Sequence, residues 1–164
     1  MTRKYLVVGL AAVFLSLSAS AADEVPYENE ALIGGEAVDG SGEVGTSVWV
    51  SGGPVLSHVQ AYADAVCYWT GGCSISTYEG HHPERTRALD NLASNCYGCW
   101  PSDNYAKGDR IANWTLNNWW SYRTWYVIWK QRINYNDGYG WQWMADRGSI
   151  TQNHYDHVHT SFYY

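Results

Sequence analysis

The segment His157-Val158-His159-Thr160-Ser161-Phe162 narrows the possible folds more than any other part of the chain. Val158, Thr160 and Phe162 alternate with His157, His159 and Ser161, which is the period of a β-strand, where residues i and i+2 share a face. A fold built around this segment needs an apolar core on one side of it and a polar site on the other. His154 lies one turn upstream, so three of the chain's six histidines fall close together. Imidazoles are costly to bury without partners, and neutral imidazole is a common ligand for zinc. The pattern points to a metal site on the polar face. A histidine-bearing edge strand with no metal is the plainer alternative.

The start of the chain reads as a signal for export. Arg3 and Lys4 precede an apolar run, Tyr5 to Leu17, too short to span a bilayer, and Ala19-Ser20-Ala21 has the small residues of a cleavage site. Residues 1–21 are therefore expected to be removed, and no other stretch is long and apolar enough to be a membrane helix. The expected location is secreted or periplasmic. The formal net charge is −6, with no cluster of lysines and arginines. That argues against nucleic acid or an anionic membrane as partner. In an exported protein an even number of cysteines reads as disulfides, so Cys67, Cys73, Cys96 and Cys99 should form two bridges. The local pairing, Cys67 with Cys73 and Cys96 with Cys99, is one of the possible arrangements. A four-cysteine zinc site is the rival, but Cys67-x5-Cys73 lacks the spacing of a zinc knuckle.

Residues 22–53 are rich in Gly, Glu and Ser and read as a flexible leader, with at most one short strand at Ser47–Val50. The folded domain is expected over residues 54–164. Val55, Val59, Tyr62, Ala63, Val66 and Trp69 recur at helical spacing after Pro54. A second helix is expected from Asp109 to Trp120, with Asp109 as its cap. Thr124 to Lys130 is β-branched and aromatic, the clearest strand in the chain. Shorter strands are expected at 75–78 and 87–92, and a turn-rich loop at 134–140. Helices and short strands mixed without βαβ regularity imply an α+β domain, with helices packed on a small, mostly antiparallel sheet. Eight of the ten tryptophans lie between Trp100 and Trp143. Such a stretch is more often core than binding surface, so no aromatic residue is assigned to a site.

Catalytic zinc usually takes three protein ligands and leaves one position open. The histidine strand can supply one or two. Gly80-His81-His82-Pro83, followed by Arg87-Ala88-Leu89-Asp90, offers a loop histidine and a strand aspartate for the rest. At this point the sequence resembles the LAS-type zinc D-alanyl-D-alanine carboxypeptidases and endopeptidases (the hedgehog/DD-peptidase fold), whose pattern is His-x6-Asp followed later by His-x-His. The blocks Arg87-Ala88-Leu89-Asp90, Tyr126 to Ile133, Met144 to Ser149 and Asn153 to His159 are most similar to the secreted ARB_07466-type C-terminal domain. The resemblance implies His82, Asp90 and His159 as ligands of one Zn2+, with His81 as the fallback. It implies His157 beside the water that attacks a peptide carbonyl, and His154 at the carbonyl oxygen. Arg147, Arg132 and Arg87 are candidates for the substrate's carboxylate, Arg147 first. Asp156 is expected at a solvated turn, with orienting one of the histidines as the alternative. The implied function is hydrolysis of cell-wall peptides at D-amino-acid cross-links or ends. The alternative is a non-catalytic module binding wall glycan or peptide through an aromatic groove. The spacing from His82 to Asp90 is x7, one residue longer than the family's, and the Ser before and Gly after the family's histidine are missing.

Overall fold

Seven strands and two α-helices make up the folded part of the chain, in the order β1 (Val50–Ser51), α1 (Ser57–Thr70), β2 (Ile75–Ser76), β3 (Ala88–Leu92), α2 (Tyr105–Asn117), β4 (Thr124–Trp129), β5 (Arg132–Asn134), β6 (Gln142–Trp143) and β7 (His157–Phe162). The structure is a computed structural model that describes residues 47–100 and 105–164. The expected signal segment, and the leader up to residue 46, lie outside the described residues. No helix among the described residues is long and apolar enough to cross a membrane.

The fold is α+β, as expected, with one mixed sheet in the order β1-β2-β3-β7-β4-β5-β6. Only β1 with β2 is parallel; every other pairing is antiparallel. The histidine segment is β7, and it lies at the centre of the sheet rather than at an edge. Its alternation is realised on two faces. Val158, Thr160 and Phe162 turn to the helices, where Val158 and Phe162 join the core with Val59, Tyr62, Ala63 and Val66 of α1. The Tyr62 hydroxyl ties both layers together, 2.7 Å from Thr115 Oγ1 on α2 and 3.1 Å from Thr160 Oγ1 on β7. Burial pushes its pKa up to about 12, so it stays a hydrogen-bonding phenol.

Helix α1 buries Val59, Tyr62, Ala63 and Val66 of the expected stripe, together with Thr70, whereas Val55 lies before the helix and Trp69 is exposed. It ends where Gly71 takes a left-handed conformation (φ 73) and donates its N–H to the Cys67 carbonyl. The Cys67–Cys73 disulfide closes just beyond that end, and Cys96–Cys99 forms the second bridge. Both match the local pairing and leave no thiolates for a four-cysteine metal site.

Three local expectations are revised. Val50 is core and starts the sheet, so ordered structure begins before Pro54. Helix α2 starts at Tyr105, not Asp109. Asp109 is an interior helix residue whose carboxylate accepts from Trp129 Nε1 at 2.8 Å and from Lys130 Nζ at 2.7 Å. Strand β5 was not expected, because the turn before it carries no glycine or asparagine. Lys130 and Gln131 both have positive φ, 53 and 57, the geometry of a two-residue type I′ hairpin. Their amides donate to the carbonyls of His154 (2.9 Å) and Asn153 (2.7 Å), which holds residues in a conformation that costs about 1–2 kcal/mol each.

Gly108 on α2 is buried beneath Trp129. In an open helix Gly→Ala would stabilise by about 1 kcal/mol. Here the added methyl would meet the Trp129 indole, which is pinned by its bond to Asp109. Gly108→Ala is expected to destabilise by about 1–3 kcal/mol, read as a lower urea midpoint. A gain in stability would show that the indole is free to move.

Candidate metal centre

The polar face of β7 and its two neighbours form the floor of a cleft of about 920 Å³. On β3, Asp90 is the direct cross-strand partner of His159, so their side chains meet on the same face. His81 reaches them from the loop after β2. One donor atom each from His81, Asp90 and His159 lies within 4.8 Å of the other two, and all three residues are buried. His81 Nε2 is 2.9 Å from Asp90 Oδ2, and His159 Nδ1 is 2.9 Å from Asp90 Oδ1.

The outer contacts settle which ring nitrogens carry protons. His81 Nδ1 faces the Ala88 carbonyl and Thr77 Oγ1, each at 3.1 Å. Thr77 spends its hydroxyl proton on the Arg85 carbonyl at 2.6 Å. Both neighbours accept, so Nδ1 must donate, and a neutral His81 turns the Nε2 lone pair toward Asp90. His159 Nε2 is 2.9 Å from Ser161 Oγ, whose proton goes to the His82 carbonyl at 2.7 Å. Nε2 must therefore donate, and the Nδ1 lone pair of a neutral His159 also faces Asp90.

Burial opposes charge on Asp90, but the imidazole contacts of His159 and His81 and the charge of His157 outweigh it. They hold the carboxyl well below the usual carboxylate range. Burial pushes His159 down despite the opposing pull of Asp90. Without a metal, a proton on each of the two ring nitrogens facing Asp90 bonds the carboxylate; a cation held here would take the place of those protons. Two nitrogens and one oxygen, with room for a fourth ligand in the cleft, fit zinc. The set does not fit calcium or magnesium, which want oxygen.

His82 is not brought to this group. Its Nδ1 lies 2.9 Å from the Tyr126 hydroxyl, and its ring stacks on Tyr126. Both histidines line the cleft, but only His81 joins the donor group. Between His81 and Asp90 the chain passes through the tight 3-10 turn Arg85–Arg87.

His157 stands beside the centre, its Nε2 3.4 Å from Asp90 Oδ1. His154 also lines the cleft, in a left-handed conformation (φ 56), with Nδ1 buried and unpartnered. Burial, then the charges of His157 and His159, push its pKa down to about 2, so it is neutral at ordinary pH. Asp156 is not at a solvated turn; it is fully buried, with Oδ1 2.6 Å from His157 Nδ1. Burial opposes its ionisation, but bonds from His157, Thr151 and Gly98 keep its pKa low.

Of the three arginines, Arg87 pairs with Glu84 at 3.1 Å and lies over Tyr164. Arg132 sits between Trp141 and Trp143. Arg147 lines the cleft and has no carboxylate partner among the described residues; Asp146 beside it accepts from Asn153 instead. The aromatic wall of the cleft, Trp125, Tyr126, Tyr135, Tyr78 and Tyr97, was not assigned from sequence. No local pattern separates a cleft aromatic from a core one. Ser161 was legible, since it shares a strand face with His159; Thr77 carried no signal.

The low pKa of His154 has a consequence for the metal-free protein. An unfolded histidine titrates near about 6.5, and the folded one only near about 2. Between those values the unfolded chain binds the extra proton, so stability is lost as pH falls below about 6.5, by up to about 1.4 kcal/mol per unit. Thermal midpoints of metal-free protein are expected to fall between pH ~7.5 and ~5, and less so in His154→Asn, since asparagine tolerates positive φ. A flat wild-type profile would contradict the burial of a neutral His154.

The family described as "VldE, C-terminal domain" matches residues 52–155, well over half of the chain. No curated protein and no solved structure matches.

Proposed function

The chain belongs to the VldE C-terminal-domain family, and we propose, on the geometry of its site, that it is an exported zinc-dependent peptidase of the LAS type. Its substrates would be cell-wall peptides, at D-amino-acid cross-links or ends. The observation that carries this reading is the convergence of His81, Asp90 and His159 donors at the floor of an open cleft. The two disulfides are compatible with an extracellular protein.

His81, Asp90 and His159 would hold the zinc. When bound, the ion supplies Lewis acidity to the reacting groups. His157 would take the proton of the attacking water on Nε2 and return it to the departing amine. His154, kept neutral, carries one N–H to donate to the carbonyl oxygen as negative charge develops there. Arg147 offers a guanidinium to a substrate carboxylate, for which its fork geometry is suited. Five further cleft residues, Tyr78, Tyr97, Trp125, Tyr126 and Tyr135, are aromatic and offer surfaces for a peptide to pack on.

That aromatic wall favours a second reading, a binding module for wall glycan or peptide that retains the metal without cleavage.

Purified protein is expected to hold about one zinc per chain, and His81→Ala, Asp90→Ala and His159→Ala each to lose it. His82→Ala should keep it. Metal retained in His81→Ala but lost in His82→Ala would overturn the ligand set. Zinc binding with no release of D-alanine and no cleavage of peptidoglycan cross-links would select the binding module.

A further inference from the structure

The chemistry above uses His157 but leaves unexplained what fixes its ring. His157 Nδ1 lies 2.6 Å from Asp156 Oδ1. The other carboxylate oxygen, Asp156 Oδ2, accepts two bonds: the Gly98 N–H at 2.6 Å and the Thr151 hydroxyl at 2.6 Å. The Asp156 carbonyl accepts the N–H groups of Ala93 (2.8 Å) and Ser94 (2.9 Å). Gly98 sits between the disulfide-bonded Cys96 and Cys99, at φ +78, a conformation that favours glycine. In the same loop Tyr97 packs edge-on against the His157 ring and bonds Ser76 Oγ at 2.6 Å. A fully buried carboxylate thus joins the disulfide loop to one imidazole.

We infer that Asp156 is the positioning residue for His157, and that the Cys96–Cys99 loop is its anchor. Ionised Asp156 accepts from both sides. It makes His157 carry its proton on Nδ1 and leaves Nε2, the atom facing the metal centre, free to accept a proton. The catalytic part of the inference rests on the peptidase reading; the positioning part does not.

The loop amide makes the idea sharp. A backbone N–H can only donate, so the atom opposite Gly98 must be an acceptor. In Asp156→Asn the side-chain oxygen is therefore held on the Gly98 side, and the NH2 group faces His157 Nδ1. The ring must then accept at Nδ1 and carry its proton on Nε2, the reverse of the useful tautomer.

The test is long-range proton–nitrogen NMR of the whole protein labelled with 15N-histidine, at about pH 8, alongside zinc content, thermal midpoint and steady-state kinetics. Wild type should show His157 protonated at Nδ1, and Asp156→Asn should show it protonated at Nε2. Zinc content should be retained, with kcat reduced roughly 10–100-fold and KM little changed. An Nδ1 proton that persists in Asp156→Asn, or an unchanged kcat, would overturn the inference. If Asp156→Asn does not fold, Thr151→Val and the double variant Cys96→Ser/Cys99→Ser each remove one anchor. Both should speed solvent exchange of the His157 Nδ1 proton, and unchanged exchange in both would overturn the inference. If wild type cleaves no wall peptide, the peptidase reading fails while the tautomer measurement still decides the role of Asp156.

Discussion

At the floor of the cleft the Asp90 carboxylate meets one ring nitrogen each of His81 and His159, and with both rings neutral their lone pairs would face its negative charge. Like-signed ends of three dipolar or charged groups within hydrogen-bond distance need a positive charge among them. The surrounding contacts all preserve the conflict rather than relieve it. Thr77 and the Ala88 carbonyl turn His81 inward, and Ser161 does the same for His159. Such a donor set could hold a cation.

The fold supplies the rigidity this needs. Strand β7 is buried along its length, between β3 and β4, so a shift of register would carry its histidines into the helix layer and its apolar residues into the cleft. Its helix face is fixed by Phe162 and Val158 in the core and by Thr160 on the Tyr62 hydroxyl. The segment before it is fixed differently, by the Lys130–Gln131 turn bonding the carbonyls of Asn153 and His154. Backbone strain at Lys130, Gln131 and His154 is thereby gathered at the edge of the cleft, where function commonly tolerates it.

Much of this was legible before any coordinates. The period of two over residues 157–162 set the two faces of β7, and the helical stripe from Val59 to Val66 set its covering layer. Asp90 and His159 were legible as partners through the resemblance to a known motif. Other parts were not. Whether His81 or His82 joins the donor group depends on the backbone path of a loop, which two adjacent histidines do not encode. Asp156 looked like a turn residue because Asp is usually solvated; its burial depends on Gly98, 58 residues away in sequence. The hairpin at Lys130–Gln131 was hidden because its left-handed residues are stabilised by tertiary hydrogen bonds rather than by their own preference.

The most direct test of the central claim is the zinc K-edge absorption spectrum of the zinc-loaded protein. The account requires nitrogen and oxygen ligands only, at about 2.0–2.2 Å, with outer-shell scattering from two imidazoles that drops to one in His81→Ala if any metal remains. Failure to bind zinc, sulfur ligands at about 2.3 Å, or imidazole scattering unaffected by His81→Ala would contradict it.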